Sequence, residues 1–329
     1  MPRCRSAVAL CAGVLCCTAT LAAAAPELDR AALMERARKA GRAYAEALTG
    51  APAVPLEPYS SYRARPKELG ITRYEELTLP ADGGIELRAW FVPAKTGGKP
   101  KGTVLVLHGG GSNVGFALQQ SAFLLDRGYQ LYLLDARTNS FVGNDGKYRG
   151  FLREDLADIS RAIEAVRKRP DVDPDRVALY GFSWGATKAL LAGAEHPELR
   201  AVIADAAPIL DAGGSVGAFE DKMPPSARKD LGLFGEFLFA QVNEMTRLLG
   251  YAAVFDVVGA AARIAPRPLL IIHSRDDRMV PFYSAEVIAK VATPTKVLFG
   301  DKFGHCLGMR NSPDEYIAPV VAFLDASMK

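Results

Sequence analysis

Gly181-Phe182-Ser183-Trp184-Gly185 constrains what this chain can fold into more than any other stretch. Before it, Arg176-Val177-Ala178-Leu179-Tyr180 reads as a short buried strand; after it, Ala186 to Ala194 reads as a helix. A strand that turns into a helix within so few residues leaves no room at the corner for a Cβ on Gly181 or Gly185. The strain of such a corner lifts Ser183 Oγ into a cleft, and the start of the helix aims its N–H groups at the same place. A G-x-S-x-G pentapeptide alone is weak, because it occurs by chance in unrelated chains. Its value depends on what surrounds it.

The surroundings alternate. Arg73 to Leu79 and Ile85 to Val92, joined by Asp82-Gly83-Gly84, read as a hairpin. Gly102 to Leu107 is then an uninterrupted apolar run, as expected of a strand covered on both faces. A helix follows over Gly115 to Arg127, a strand over Tyr129 to Leu134 and a helix over Phe151 to Arg169. Beyond the serine corner, Leu199 to Ala204, Pro268 to His273 and Thr295 to Phe299 read as further strands, the last two each followed by helical sequence. Repeated β–α alternation with buried strands implies an α/β fold: a mostly parallel central sheet with helices on both faces. One interval breaks the pattern. Residues 211–266 contain no clear strand, open with Gly213, Gly214, Pro224 and Pro225, and are dense in Phe, Leu, Tyr and Val from Leu231 to Ile264. An insertion between two central strands would sit above their carboxyl ends, so the interval is expected to form a helical lid.

The amino terminus stands apart. Arg3 and Arg5 precede an apolar stretch from Ala7 to Leu15, and Ala23-Ala24-Ala25 offers a small-residue cleavage site. That is the pattern of a secretory signal peptide over residues 1–25, implying export to a periplasm or outside the cell, with no stable membrane insertion once it is removed. The competing reading, an uncleaved anchor, is weakened by the Ala-rich run that ends in A-x-A. Residues 26–70 read as an amphipathic helix, Pro26 to Leu48, and a Pro-rich connector; residues 71–329 are expected to form the main domain around the serine corner. Removing residues 1–25 takes away four of the five cysteines and leaves Cys306, so no intramolecular disulfide is expected. It also lowers the formal charge of +3 by the two arginines. A near-neutral chain gives no support for nucleic-acid binding through phosphates.

A serine hydroxyl needs a base to take its proton, usually an imidazole, and the chain has four histidines. His305 lies in the loop after the last strand, at the end of the sheet where Ser183 is expected, and is the candidate base. His108 closes the first long strand, His273 ends another, and His196 follows the corner helix on the far side of the sheet. The imidazole in turn needs a carboxylate to fix its tautomer. His273-Ser274-Arg275-Asp276-Asp277-Arg278-Met279-Val280-Pro281 supplies Asp276 and Asp277 directly after a strand, and Asp205 follows the preceding one. Cys306, beside His305, is expected to point away from it in an extended loop and to take no part.

Together these pieces resemble the serine hydrolases of the α/β-hydrolase superfamily, in a lidded esterase- or lipase-like branch, over roughly Tyr74 to Lys329. In that family an H-G-x-x-D-x-x-V-P segment carries the acid. His273, Asp277, Val280 and Pro281 match it, with Ser274 in place of Gly, so the resemblance selects Asp277. The order Ser183, Asp277, His305 is the superfamily's order. The family's H-G-G-G loop is matched by His108-Gly109-Gly110-Gly111. The resemblance then implies an oxyanion hole made by the N–H of Trp184 and that of Gly110, with Gly109 as the alternative. Two departures stand out. The D-x-R-G-H-G-x-S loop survives only as Asp135-Ala136-Arg137-Thr138-Asn139-Ser140, and Trp184 replaces a small or Met side chain. The expected activity is hydrolysis of a small-molecule carboxylic ester through an acyl-enzyme, with no cofactor and no metal. A peptidase, amidase or acyltransferase would use the same triad, and a silent hydrolase-like binding module would share the fold. The oligomeric state is not legible.

Overall fold

The computed structural model describes residues 35–39, 65–110, 112–136, 153–209, 256–292 and 295–329. The segment read as a signal peptide, most of the N-terminal helix and connector, and residues 211–255 of the interval read as a lid lie outside the described residues. Among the described residues, 35–39 are helical.

Eight strands form one sheet: β1 (Glu75–Ala81), β2 (Ile85–Val92), β3 (Gly102–Leu107), β4 (Tyr129–Leu134), β5 (Val177–Phe182), β6 (Ala201–Asp205), β7 (Leu269–Ser274) and β8 (Thr295–Gly300). Their spatial order is β1-β2-β4-β3-β5-β6-β7-β8. The hairpin β1–β2 is antiparallel and β2 joins β4 antiparallel; from β4 onward every pairing is parallel. β3, β4, β5, β6 and β7 are buried along their whole length, which is why their sequences are apolar without alternation. β1 lies at the edge and alternates between exposed and half-buried residues. It runs on through Pro80, which an edge strand tolerates because one side of its ladder is unpaired.

The helices split between the two faces. On one face lie α2 (Arg153–Arg167), α3 (Trp184–Glu195), α4 (Val257–Ile264) and α5 (Tyr283–Val291), packed through Ile163, Leu190, Ala261 and Ile288 onto Leu105, Leu179 and Ile271. On the other lie α1 (Val114–Ser121) and the C-terminal helix α6 (Pro313–Ser327), packed through Leu118, Val320 and Leu324 onto Val104, Tyr180 and Ile272. The two-sided α/β sheet expected from the alternation is the fold observed.

One expected boundary changes. The tail of the interval read as a lid, 257–264, is α4, and its Val257, Ala260, Ala261 and Ile264 are fully buried in the core beside α3. Apolar density at helical spacing is the same whether a helix covers a cleft or a sheet, so the sequence had no means of marking where an insertion ends.

Candidate active site

The corner between β5 and α3 is as tight as its glycines require. A Cβ on Gly181 would lie 2.1 Å from the carbonyl oxygen of Gly185, and one on Gly185 would lie 2.5 Å from the carbonyl oxygens of both Leu107 and His108. The obstacles are backbone atoms of the corner and of β3, which cannot rotate away. Ser183 itself sits at φ 52, ψ −118, a left-handed conformation that a side chain other than glycine's adopts only when its surroundings force it. Here the forcing contacts are the Ser183 N–H donating to the carbonyl of Asp205 at 2.8 Å and its carbonyl accepting from Ala186 N–H at 2.8 Å.

His305 lies in the loop after β8 and reaches across to the corner. Its Nε2 is 2.9 Å from Ser183 Oγ, and its Nδ1 is 2.8 Å from Asp277 Oδ2. A carboxylate only accepts, so Nδ1 carries the proton and Nε2 presents a lone pair to the serine hydroxyl. Asp277 is buried and well held: Oδ1 accepts from the N–H groups of Met279 at 2.8 Å and Val280 at 3.0 Å. Burial pushes this carboxyl up, but the charge and hydrogen bond of His305, the charge of His273 and the Val280 N–H together outweigh it and hold Asp277 below the ordinary carboxylate range. His273, also buried, has Nε2 3.0 Å from the carbonyl of Val280 and 3.5 Å from Asp277 Oδ2; burial pushes it down, toward the neutral form.

The other two carboxylates considered in the sequence do different work. Asp276 is exposed, and its Oδ1 accepts from Ser274 Oγ and from the N–H of Gly304 at 2.9 Å. Ser274 Oγ accepts from Phe303 N–H at 2.9 Å. The serine that replaces the family's glycine thus joins Asp276 in tying down the two residues that precede His305. The carboxylate of Asp205 turns to Tyr316, whose hydroxyl donates to Oδ2.

The loop after β3 closes the site from the other side. Ala136 N–H donates to His108 Nε2 at 2.9 Å, so the proton of this buried ring sits on Nδ1, which lies 2.8 Å from the Gly109 carbonyl and donates to it. With the carbonyl of a trans peptide turned to His108, the N–H of Gly110 points the opposite way. A Cβ on Gly109 would lie 3.1 Å from Ser183 Cβ, and one on Gly110 would lie 3.5 Å from Trp184 Cβ, so both glycines lie against the corner. Asn113 then caps α1, accepting from the N–H groups of Gly115 and Phe116. The surviving Asp135-Ala136 of the altered loop therefore bears on His108, with Asp135 Oδ1 3.4 Å from Nε2. Trp184 packs into the apolar cluster on the α3 face.

Cys306 does not point away. It adopts φ 56, a left-handed turn in place of the extended loop expected, and its Sγ lies 3.9 Å from His305 Nε2 and 3.7 Å from the Asp205 carbonyl. Burial, with Asp205 and Asp277 adding, pushes the thiol well up, so it stays protonated and is no rival nucleophile. His196 is remote from the site, at the end of α3, between Glu198 and Ser160 at 2.8 Å each. Among the described residues no cluster of three or more His, Cys, Asp or Glu could hold a metal ion, and no helix is long and apolar enough to cross a membrane.

Comparison with known proteins agrees with this architecture. The model of the alpha/beta hydrolase family matches residues 104–318, a span that holds Ser183, Asp277 and His305. An uncharacterized protein of Escherichia coli strain K12, YfhR, is 26% identical over 230 residues, covering 68% of this chain and 70% of its own length. Among solved structures, the esterase Pf2001 of Pyrococcus furiosus superposes with a TM-score of 0.63 at 23% identity, covering 85% of this chain and all of its own. A 2,6-dihydroxy-pseudo-oxynicotine hydrolase superposes with a TM-score of 0.61 at 17% identity, covering 97% of this chain and 80% of its own. At these identities the two structures speak for the fold alone.

Proposed function

The chain belongs to the alpha/beta hydrolase family, and from that premise we propose that it is a serine hydrolase cleaving a carboxylic ester through an acyl-enzyme. The observation that carries the reading is the relay of two short hydrogen bonds, 2.9 Å from Ser183 Oγ to His305 Nε2 and 2.8 Å from His305 Nδ1 to Asp277 Oδ2. A structural serine has no need of such an arrangement, whereas a nucleophile does.

In this mechanism Ser183 Oγ attacks the ester carbonyl while His305 Nε2 takes its proton. The imidazolium is stabilised by Asp277, which stays ionised because its partners hold its pKa low. The oxyanion forms beside the N–H groups of Trp184 and Gly110, whose orientation the His108 clamp favours. Collapse breaks the bond to the alcohol, which leaves with the proton from His305. Water then attacks the acyl-enzyme, giving its proton to His305, and Ser183 departs with that proton as the acid is released. The proposal also keeps the export expected from residues 1–25, which would place the substrate outside the cytoplasm.

Hydrolysis of p-nitrophenyl esters of rising acyl length, beside an aminoacyl anilide, tests the reading. The expected result is turnover of at least one ester, lost by about four or more orders of magnitude in kcat in Ser183→Ala. Turnover of the anilide alone would replace esterase by amidase. An undiminished rate in Ser183→Ala would remove the serine mechanism.

A further inference from the structure

Asp205 is a buried carboxyl group beside the site that the mechanism leaves idle. Asp205 ends β6, and its main chain touches Ser183 and the neighbour of His305: its carbonyl accepts the Ser183 N–H at 2.8 Å and lies 3.7 Å from Cys306 Sγ, which is itself 3.9 Å from His305 Nε2. The non-glycine residues of positive φ among those described are Ser183, Ala206 and Cys306, and all three meet here. Three strained backbones in one knot are the mark of a constellation held in place by its surroundings.

The side chain is built in as firmly. Its Oδ2 accepts from Tyr316 Oη, and Tyr316 Oη is in turn hydrogen-bonded to Tyr180 Oη. The Tyr316 ring is wedged under the loop that carries His305. It packs edge-on against Phe303 at 5.5 Å between ring centres, and a Cβ on Gly308 would lie 2.2 Å from it. We infer that Asp205 is a positioning residue for this site: a buried carboxyl group, held by Tyr316 against the loop that carries His305, whose charge sets how readily the imidazole takes the serine proton. The inference rests on the serine-hydrolase reading above.

The titratable groups facing Asp205 among the described residues are Tyr180 from β5, Tyr316 from α6, His305 and Cys306 from the loop after β8, and Asp277 from the loop after β7. Burial pushes both tyrosines and the thiol well up, so all three stay neutral. Burial also pushes Asp205 up to about 7; the Tyr316 hydrogen bond and the attraction of His305 oppose the shift, and the Asp277 charge adds to it. The group therefore changes charge near neutral pH. Ionised, it is a second negative charge that favours the imidazolium formed as Ser183 attacks. A carboxyl serving only as an acceptor for Tyr316 would do nothing of the kind.

The test compares wild type, Asp205→Asn and Tyr316→Phe on a p-nitrophenyl ester the wild type turns over. The inference expects the acid limb of kcat/KM in the wild type to span two deprotonations. Asp205→Asn should show a single one and a plateau several-fold lower. Tyr316→Phe removes a bond that favours the carboxylate, so its upper step should move to higher pH. A limb and plateau in Asp205→Asn that superimpose on wild type would overturn the inference, as would an unmoved upper step in Tyr316→Phe should Asp205→Asn not fold.

A second readout needs no activity. With its folded pKa raised, Asp205 contributes stability that is fully present below about pH 4 and lost as pH rises through about 7. The thermal midpoint of wild type should therefore fall relative to Asp205→Asn between those values and run level above them; a constant difference would count against the inference. Absence of ester turnover in the wild type would instead remove the esterase reading while leaving this comparison intact.

Discussion

At the scale of single residues, the geometry of the candidate site gives each proton one place to be. Asp277 can only accept, so His305 carries its proton on Nδ1 and offers Nε2 to Ser183. Asp277→Asn would keep the shape but allow the wrong tautomer, and kcat should fall by about four orders of magnitude with little change in KM. The same substitution bears on stability. Asp277 has its folded pKa depressed, so its contribution is present above about pH 4 and lost as pH falls through the folded value. Acid unfolding of the variant should therefore be shallower than that of wild type over that range. The sequence brought Ser183, His305 and Asp277 forward through residue chemistry and family order. It could not show that Asp276 and Ser274 tie down the loop before His305, nor that Cys306 turns back toward the imidazole, because a single positive φ leaves no trace in composition or periodicity.

At the scale of elements, the strands were legible because burial on both faces writes itself as an unbroken apolar run, and the helices because α2 keeps its period. What periodicity cannot distinguish is one apolar helix from another, so α4 was assigned to a lid when it belongs to the core. A second hidden feature joins α2 to α3. Lys188 and Asp155 form a fully buried ion pair at 3.2 Å, although in sequence each is only a charged residue in a helix. Lys188→Met should destabilise by about 3–5 kcal/mol, because it takes the Lys188 cation away from a buried carboxylate; pairing it with Asp155→Leu should recover part of the loss. Chemical denaturation of the three proteins measures this, and a Lys188→Met variant as stable as wild type would show that the pair bears no load.

At the scale of the whole molecule, the sheet explains why residues as far apart as Ser183 and His305 meet. β5, β7 and β8 are parallel, so the loops leaving their carboxyl ends share one rim, and the three side chains come from three of those loops. That much followed from counting buried strands in order. The expectation of export is carried by residues 1–25 alone: expressed with its own amino terminus in a bacterial host, the mature protein should begin at Pro26 by N-terminal sequencing, and full-length protein retained in the cytoplasm would contradict it. The proposed chemistry turns on Ser183 being an activated nucleophile. The most direct measurement is peptide mapping by mass spectrometry after treating the folded protein with a fluorophosphonate. An activated Ser183 gives one adduct per chain, on the peptide containing Ser183, and a large loss of labelling rate in His305→Ala. No adduct on Ser183 of folded protein, or labelling undiminished without the imidazole, would contradict it.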